Sequence, residues 1–166
     1  INETGAKVQE FFFNDVSSAY SSVDITLTAK HLVQGASCMT FDPDRRLLHV
    51  VTGDGSLATL TIYRTEGVNA WSHQDTPHGE FTQCHYAGDQ TYVVVARDDG
   101  LKYIERFDER AVLDNCHLAE SASPTTGFYG IPHLNGKTIN VVLDNVIYPD
   151  TLINDYYYTT PGSRQM

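Results

Sequence analysis

Two stretches of this chain repeat one another at a spacing of 45 residues, and no other feature of the sequence constrains the fold as strongly. The first stretch runs from Phe41 to Gly55 and the second from Tyr86 to Gly100. Both place an aspartate before a β-branched strand and an Asp-Gly pair after it. Without a gap, the repeat matches Asp44 with Asp89, Asp54 with Asp99, and Gly55 with Gly100. A multi-strand unit of about 40 to 50 residues is typical of propeller blades.

Each repeat predicts the same local structure. A first strand leads into a turn closed by Asp44 or Asp89, a second strand follows, and an Asp-Gly hairpin turn joins it to a third. Aspartate and glycine suit these turns because both tolerate a positive φ. A single unit of this kind leaves its sheet faces uncovered, so it requires neighbouring units. The repeat therefore favours an architectural function.

The rest of the chain predicts a mainly β fold with one short helix. Residues 6–13 have a strand pattern, and Asp24 and Gly35 stand where the N-cap and the C′ residue of a helix are expected. An apolar hairpin pattern covers 137–148. We predict propeller-like antiparallel blades and a small C-terminal β-module. The predicted domains are 1–35 (N-terminal strand and short helix), 36–118 (two blade repeats) and 119–166 (linker and partial β-module).

Charge and composition narrow the possible partners. The chain carries a formal net charge of −10, which argues against wrapping nucleic acid but allows DNA to pass nearby without adhering. No apolar run reaches the length of about 18 residues typical of a membrane helix, so no stable membrane insertion is predicted. Cys38, Cys84 and Cys116 lie far apart in the sequence, and we interpret them as free thiols in a reducing compartment.

The polar residues do not form the pattern of a reaction centre. The seven histidines lack the short paired spacings of a zinc site, so no metal and no cofactor are predicted. Asp42 with Asp44, and Asp98 with Asp99, could be carboxylate pairs or Ca²⁺ ligands, but both pairs lie where the chain reverses and aspartate is favoured in turns. No serine lies in the G-x-S-x-G motif of a nucleophile elbow. The chain is therefore interpreted as a non-enzyme without catalytic residues.

Aromatic residues provide the candidate binding surfaces. Trp71 could stack on a sugar or a base, although a position in the core is the favoured interpretation. Tyr156, Tyr157 and Tyr158 predict an edge strand whose rings contact a partner chain. The site residues predicted from the sequence are thus turn residues and candidate interface aromatics.

An ordered series of phrases within 8–109 resembles one known family. The most specific phrases are Asp24-Ile-Thr-Leu-Thr-Ala-Lys-His31 and Tyr103-Ile-Glu-Arg-Phe107, with Leu60-Thr-Ile-Tyr-Arg64 between them. They are similar to the tail proteins of short-tailed phages known as tail tubular protein B, tail nozzle or stabilisation proteins. Members of that family are several times longer, so this chain is expected to be an excised middle piece or a strongly reduced relative.

The resemblance implies a virion structural protein that is assembled in the host cytoplasm. Proteins of this family form a ring, commonly sixfold, below the portal and adaptor, and the genome exits through it. The implied partners are further copies of the chain, adjacent tail and adaptor proteins, and transiting DNA that is not bound specifically. No catalytic residues belong to the family pattern.

Two alternatives from other functional classes stay open. A glycan- or protein-binding propeller module of a receptor-binding tail component would require Trp71 to be exposed in a groove. A hydrolase built on a propeller would require inward carboxylates from several blades.

Overall fold

The computed structural model describes most of the chain. The described residues are 7–111, 116–118, 120, 122–123, 127–129, 131, 134–143, 146–153 and 157–159. The chain divides into two compact units, Ile1–Cys116 and His117–Met166. All strand pairs in the described ranges are antiparallel, so the predicted mainly β class is confirmed. The predicted domain boundaries near 35 and 118 stay a prediction.

The first unit begins with a β-hairpin. Strand β1 (Gln9–Asn14) pairs with β2 (Ala19–Asp24) along its whole length. Asn14 shapes the connecting turn, because its side-chain oxygen accepts hydrogen bonds from the backbone N–H of Val16 at 3.0 Å and of Ser17 at 3.3 Å. β1 matches the predicted strand at 6–13. β2 was not predicted, because its Ala-Tyr-Ser-Ser-Val-Asp sequence lacks a regular apolar alternation.

The short helix predicted after Asp24 is wrong. Residues 25–28 form a turn, and a single 3-10 helical turn follows at Lys30–Leu32. Asp24 binds the backbone as an N-cap residue would. Its Oδ1 accepts a hydrogen bond from the N–H of Thr26 at 2.9 Å and another from the Thr26 hydroxyl at 2.5 Å. These hydrogen bonds lower the pKa of Asp24, the one from the Thr26 hydroxyl most strongly. The carboxylate thus stabilises a turn, not a helix.

Tertiary hydrogen bonds explain why the helix does not form. The N–H of Ile25 donates to the carbonyl of Val8 at 3.2 Å, and the carbonyl of Ile25 accepts the indole N–H of Trp71 at 2.9 Å. The carbonyl of Ile25, which a helix after Asp24 would use in its ladder, is therefore bonded to Trp71, whereas the N–H of a first helical residue has no intrahelical partner in any case. The β-branched Ile25 and Thr26 also have low intrinsic helix propensity, so little helical preference is lost when residues 25–28 form a turn.

Two antiparallel sheets form the rest of the first unit. The first sheet has the order β3 (Cys38–Asp42), β4 (Leu47–Val51), β5 (Leu57–Tyr63) and β6 (Val68–Gln74). The second sheet has the order β7 (Gly79–Ala87), β8 (Gln90–Arg97) and β9 (Lys102–Arg106). Both are meanders, in which consecutive strands are hydrogen-bonded neighbours. The β-branched and aromatic residues of these strands favour an extended backbone.

The 45-residue repeat corresponds to equivalent strand pairing. A shift of 45 residues places β3, β4 and β5 within or largely on β7, β8 and β9. Val50 pairs with Ala58 in the first sheet, and Val95 pairs with Tyr103 in the second, which are the same positions one repeat later. The preceding hairpins differ, because the turn at 43–46 is two residues longer than the turn at 88–89. The predicted repeat is therefore confirmed in the hairpins that contain the Asp-Gly turns.

The N-terminal segment, the first sheet and the second sheet are stacked in chain order. One buried cluster joins the first sheet to the second; it consists of Val51, Leu57, Phe81, Cys84, Val93 and Val95. The opposite face of the first sheet packs against the N-terminal segment in a second cluster, Val8, Val33, Ala36, Val50 and Ala58. Val50 and Val95 are equivalent in the repeat, and each faces the element that precedes its own sheet. Stacking of this kind has two different ends.

The propeller-like arrangement predicted for the blades is not confirmed, since the described residues show no closed sheet and no propeller. The four-stranded and the three-stranded sheet stack on one another, and neither of them closes on itself. The repeated unit and its stacking are thus observed, whereas a propeller built from such units belongs to the functional proposal below.

The second unit consists of two small sheets. Strand β10 (Gly127–Tyr129) pairs with β13 (Tyr157–Thr159), and β11 (Thr138–Leu143) pairs with β12 (Val146–Leu152). The hairpin predicted at 137–148 is therefore present as β11 and β12. Ile131 and Ile153 are buried in this unit. Four partly buried residues pack against them: Leu134, Ile139, Val141 and Leu143.

Candidate functional site

The turn after β4 is held by the side chains around Asp54. The N–H of Thr52 donates to the carbonyl of Ser56 at 3.0 Å, and Gly55 has a φ of +80°. Oδ1 of Asp54 accepts hydrogen bonds from the Ser56 hydroxyl, from the Thr52 hydroxyl at 2.6 Å and from the N–H of Ser56 at 3.2 Å. The two hydroxyls, Ser56 first, lower the pKa of Asp54 to about 2. The charged carboxylate therefore stabilises its own turn.

The turn after β8 has the same hydrogen bonds one repeat later. The N–H of Arg97 donates to the carbonyl of Leu101 at 2.9 Å, and Gly100 has a φ of +80°. Oδ1 of Asp99 accepts the N–H of Leu101 at 2.9 Å, and Oδ2 accepts the Tyr103 hydroxyl at 2.7 Å. Asp54 and Asp99 thus bind the backbone of equivalent turns in equivalent ways.

The two equivalent glycines offer a matched test of sheet packing. A Cβ at Gly55 would lie 2.7 Å from both Cβ and Cγ of Glu80, whereas nothing lies within 4 Å of the corresponding position at Gly100. Because an L-residue in the left-handed region costs about 1 to 2 kcal/mol, Gly100→Ala should lose about that much stability. Gly55→Ala should lose about 1 to 3 kcal/mol more, since Glu80 and β7 must move. Urea denaturation measures both losses, and equal losses would contradict the close packing at Gly55.

Asp42 holds the turn before β4, and Asp44 makes a contact between sheets. Asp42 is only 1% exposed, and its Oδ1 accepts the N–H groups of Asp44 and Arg45, each at 3.0 Å. Oδ2 of Asp44 accepts the hydroxyl of Tyr86 at 2.5 Å, and this bond raises the pKa of Tyr86. Asp89 adopts a φ of +64° in the short turn before β8. Asp42 is therefore also a turn residue, although the sequence analysis considered it only as half of a carboxylate pair with Asp44.

A pocket of about 240 Å³ lies beside Asp42. Arg45 connects two carboxylates that line it, because Nη1 lies 3.2 Å from Oδ2 of Asp42 and Nη2 lies 2.9 Å from Oε1 of Glu109. The Thr91 hydroxyl, from the second sheet, donates to Oδ2 of Asp42 at 3.4 Å. Burial opposes the charge on Asp42, but the hydrogen bonds from Arg45 prevail and its pKa lies below the ordinary value. The pocket wall is thus a network of mutually satisfied charges.

His49 lies in the same pocket wall and is 3% exposed. Its ring stacks on Phe107, with centroids 5.3 Å apart and an interplanar angle of 10°. Nδ1 lies 2.9 Å from the hydroxyl of Thr59, which donates its proton to Oε1 of Gln74 at 2.9 Å. Nδ1 must therefore carry the imidazole proton and donate to Thr59. Burial lowers the pKa of His49, so the ring is neutral at pH 7 and held in one orientation.

Sequence reasoning missed this buried polar network. A histidine between leucines and valines in Leu47-Leu-His-Val-Val51 was the available signal, because a polar residue inside a β-branched strand must find partners when it is buried. Its partners are Thr59, on β5, and Phe107, just after β9, and neither could be assigned from sequence.

The predicted interface aromatics lie in different places. Trp71 is half-buried in β6, packs against the N-terminal cluster and donates its indole N–H to the carbonyl of Ile25 at 2.9 Å. Tyr157 and Tyr158 lie in β13, whose partner strand is β10, and Tyr156 is outside the described residues. The structure does not bring Trp71 and the tyrosines together within one described unit. An interface function for these four residues stays a prediction.

The β1–β2 hairpin lies between Val8 and Ile25, which pack on the first sheet, and it exposes large apolar side chains. Phe11 is 70% exposed, Phe13 52%, Val16 97% and Tyr20 79%. The rings of Phe13 and Tyr20 meet edge to face with centroids 5.4 Å apart. Contiguous exposed apolar side chains of this size mark interaction surfaces in soluble proteins. The Phe11-Phe-Phe13 run was visible in the sequence, but its exposure was not.

The outer face of the second sheet lies at one end of the stack. Ile104, which pairs with Val94, is 78% exposed there, and Val94 and Ala96 are half-buried. Val94 and Ala96 correspond in the repeat to His49 and Val51, and in the first sheet Val51 is covered by the second sheet. The face around Ile104 is therefore the equivalent of a face that is already occupied one repeat earlier.

The fold and these surfaces define a mainly β protein of repeated, stacked sheets. Exposed apolar side chains lie on the β1–β2 hairpin, and Ile104 is exposed between Lys102 and Arg106 on the outer face of the second sheet. No protein-family model matches the chain, and no curated protein matches it. Among the residues that the structure describes, no group of three or more His, Cys, Asp and Glu side chains could hold a metal ion. In the same residues, no helix has the length and apolarity needed to span a membrane.

Proposed function

We propose that the protein is a structural subunit of a phage tail tube or nozzle, whose copies join end to end into a ring through which DNA exits. The observation that carries the proposal is that the two sheets stack on one another and leave exposed apolar side chains on the β1–β2 hairpin and on the outer face of the second sheet. A contact between unlike ends is heterologous, and heterologous contacts close into rings when the rotation between subunits permits. One end is the β1–β2 hairpin, with Phe11 and Phe13, and the other is the face around Ile104.

The repeat suggests how the two ends meet. The covered face of the first sheet, with Val51 and Leu57, receives an apolar sheet face from the next unit of the same chain. The equivalent face around Ile104 would receive apolar side chains of the hairpin from the next copy. Each subunit would then extend a propeller-like series of sheets, which single units of this kind need in order to cover their faces.

The charge of the chain supports passage of DNA. A net charge of −10 repels the phosphate backbone, so a channel wall of this composition would not retain DNA through phosphate contacts. The adjacent tail and adaptor proteins, the location in the virion and assembly in the host cytoplasm belong to the same proposal and rest on the family resemblance. The glycan-binding alternative gains no support from Trp71, whose indole N–H is used by Ile25.

A mixing experiment tests the end-to-end contact. The double variant Phe11→Ser with Phe13→Ser disables one end, and Ile104→Ser with Val94→Ser disables the other. Each variant alone should be a monomer by light scattering after size exclusion, whereas an equimolar mixture should form a dimer, because one intact end of each kind remains. The unchanged chain should form a closed oligomer. Val68→Ser, an exposed apolar change on β6, is the matched control and should leave the oligomer intact.

Two results would overturn the proposal. A monomer of the unchanged chain at every concentration would exclude a ring built from this chain alone. Dimers formed by either double variant by itself would indicate a symmetric contact between like ends, which closes at two copies and cannot build a ring. Circular dichroism of each variant separates a lost contact from a lost fold.

A further inference from the structure

Two of the three cysteines meet between the stacked sheets. Cys38 lies on β3 and Cys84 on β7, and their Sγ atoms are 3.8 Å apart although 46 residues separate them in sequence. Both are free thiols. The Cys38 thiol donates a hydrogen bond to the carbonyl of Cys84 at 3.3 Å, and Cys84 packs in the cluster that joins the sheets. The side chains therefore already point at one another.

We propose that Cys38 and Cys84 form a disulfide that covalently joins the two sheets when the protein meets a disulfide oxidant of low molecular weight, such as oxidised glutathione. An S–S bond is about 2.05 Å long, so the sulfur atoms must approach by about 1.8 Å. Rotation about the Cα–Cβ bonds of two facing cysteines can supply such an approach. The inference rests on this geometry alone and does not depend on the proposed tail function.

The reaction proceeds by two thiol–disulfide exchanges. Cys38 reacts first because it is half-buried, whereas Cys84 is buried. The Cys38 thiolate attacks one sulfur of oxidised glutathione, the S–S bond of glutathione breaks, and the first glutathione thiolate leaves and takes up a proton. The Cys84 thiolate then attacks Sγ of Cys38 and expels the second glutathione. Two protein thiols lose two electrons, and one glutathione disulfide becomes two thiols.

The second exchange sets the rate. Burial raises the pKa of the Cys84 thiol, so little thiolate is present at neutral pH. Since only the thiolate attacks, closure should be slow at pH 7 and should accelerate by about tenfold for each unit that the pH rises while it stays below the pKa of Cys84. On brief exposure Cys38 should therefore be free or held as a mixed disulfide with glutathione, and the bond to Cys84 should close on prolonged exposure.

The closed bond should stabilise the first unit. It links residues 46 positions apart and so restricts the unfolded chain strongly, which in a domain of this size corresponds to a rise in Tm of about 5 to 15 °C. Reduction should return the Tm to its original value, because the two thiols are accommodated in the same core.

The full chain incubated with oxidised glutathione under native conditions tests the proposal. Peptide mapping without reduction should find Cys38 linked to Cys84, and Cys116, which is exposed, should carry glutathione. Cys38→Ser and Cys84→Ser should each abolish the linked peptide and the rise in Tm, while Cys116→Ser should retain both. Finding Cys38 and Cys84 still free, or Cys38 still held as a mixed disulfide, after prolonged incubation at alkaline pH would overturn the inference. A link that forms only in urea would overturn it as well.

Discussion

Replacing Asp42 with alanine should lower the free energy of unfolding by about 2 to 4 kcal/mol. The carboxylate is 1% exposed and accepts hydrogen bonds from two backbone N–H groups, from Arg45 and from Thr91. Alanine removes all of them and leaves the buried Thr91 hydroxyl without this acceptor. Arg45 keeps Glu109 as a partner, which limits the loss. Urea denaturation followed by the fluorescence of the single tryptophan, Trp71, measures the change.

The exposed turn residue Asp15 is the control for Asp42. Asp15→Ala should change stability by less than about 0.5 kcal/mol, as is usual for surface substitutions. The folded-state pKa of Asp42 lies below its ordinary value, so Asp42 contributes stability above the unfolded pKa of about 3.9 and loses it as the pH falls through the folded pKa. The fall in stability on acidification should therefore be shallower in Asp42→Ala. If stability depends on pH equally in the unchanged protein and in Asp42→Ala, Asp42 is not a charged, paired group in the fold.

Replacing Leu57 with alanine should lower the free energy of unfolding by about 2 to 5 kcal/mol. Leu57 is fully buried in the cluster between the two sheets, in which its neighbours include Val51, Phe81 and Val95. Because these neighbours belong to two sheets, the cavity cannot collapse without shifting one sheet against the other. The loss is measured by the same urea denaturation.

Leu101→Ala removes the same atoms at a position that is 58% exposed and serves as the matched control. It should cost less than about 1 kcal/mol, because little apolar surface returns to water. Similar losses for the two variants would contradict the stacking of the second sheet on Leu57. A two-step transition in Leu57→Ala alone would instead show that the sheets unfold separately once their shared cluster is damaged.

The repeat was readable from sequence because turns and strands depend on neighbouring residues. Gly55 and Gly100 have the same φ, and Asp54 and Asp99 accept equivalent backbone hydrogen bonds, as expected of matched Asp-Gly hairpins. The helix after Asp24 failed for the opposite reason. Asp24 accepts the N–H of Thr26 in a turn and caps no helix, and Trp71, 46 residues after Ile25, donates to the carbonyl that a helix would have used.

The candidate sites were likewise predictable from the sequence only where they depend on neighbouring residues. The Phe11-Phe-Phe13 run is plain in the sequence, yet only the fold shows that Phe11 and Phe13 face away from the core. His49 is visible as a polar residue in an apolar strand, but its tautomer follows from Thr59 and Gln74 on two other strands. Residues with short-range roles could be proposed from pattern alone, whereas residues with long-range partners could not.

By itself, the sequence determined the size of the repeated unit, the positions of most strands in the two sheets and the places where the chain reverses. These features follow from turn chemistry and β propensity, which act over a few residues. Only the tertiary structure decided that the sheets stack in chain order, that Cys38 meets Cys84, and that the hairpin and the face around Ile104 stay uncovered. Such outcomes depend on which faces bury each other, and that choice is made by contacts between residues far apart in the chain.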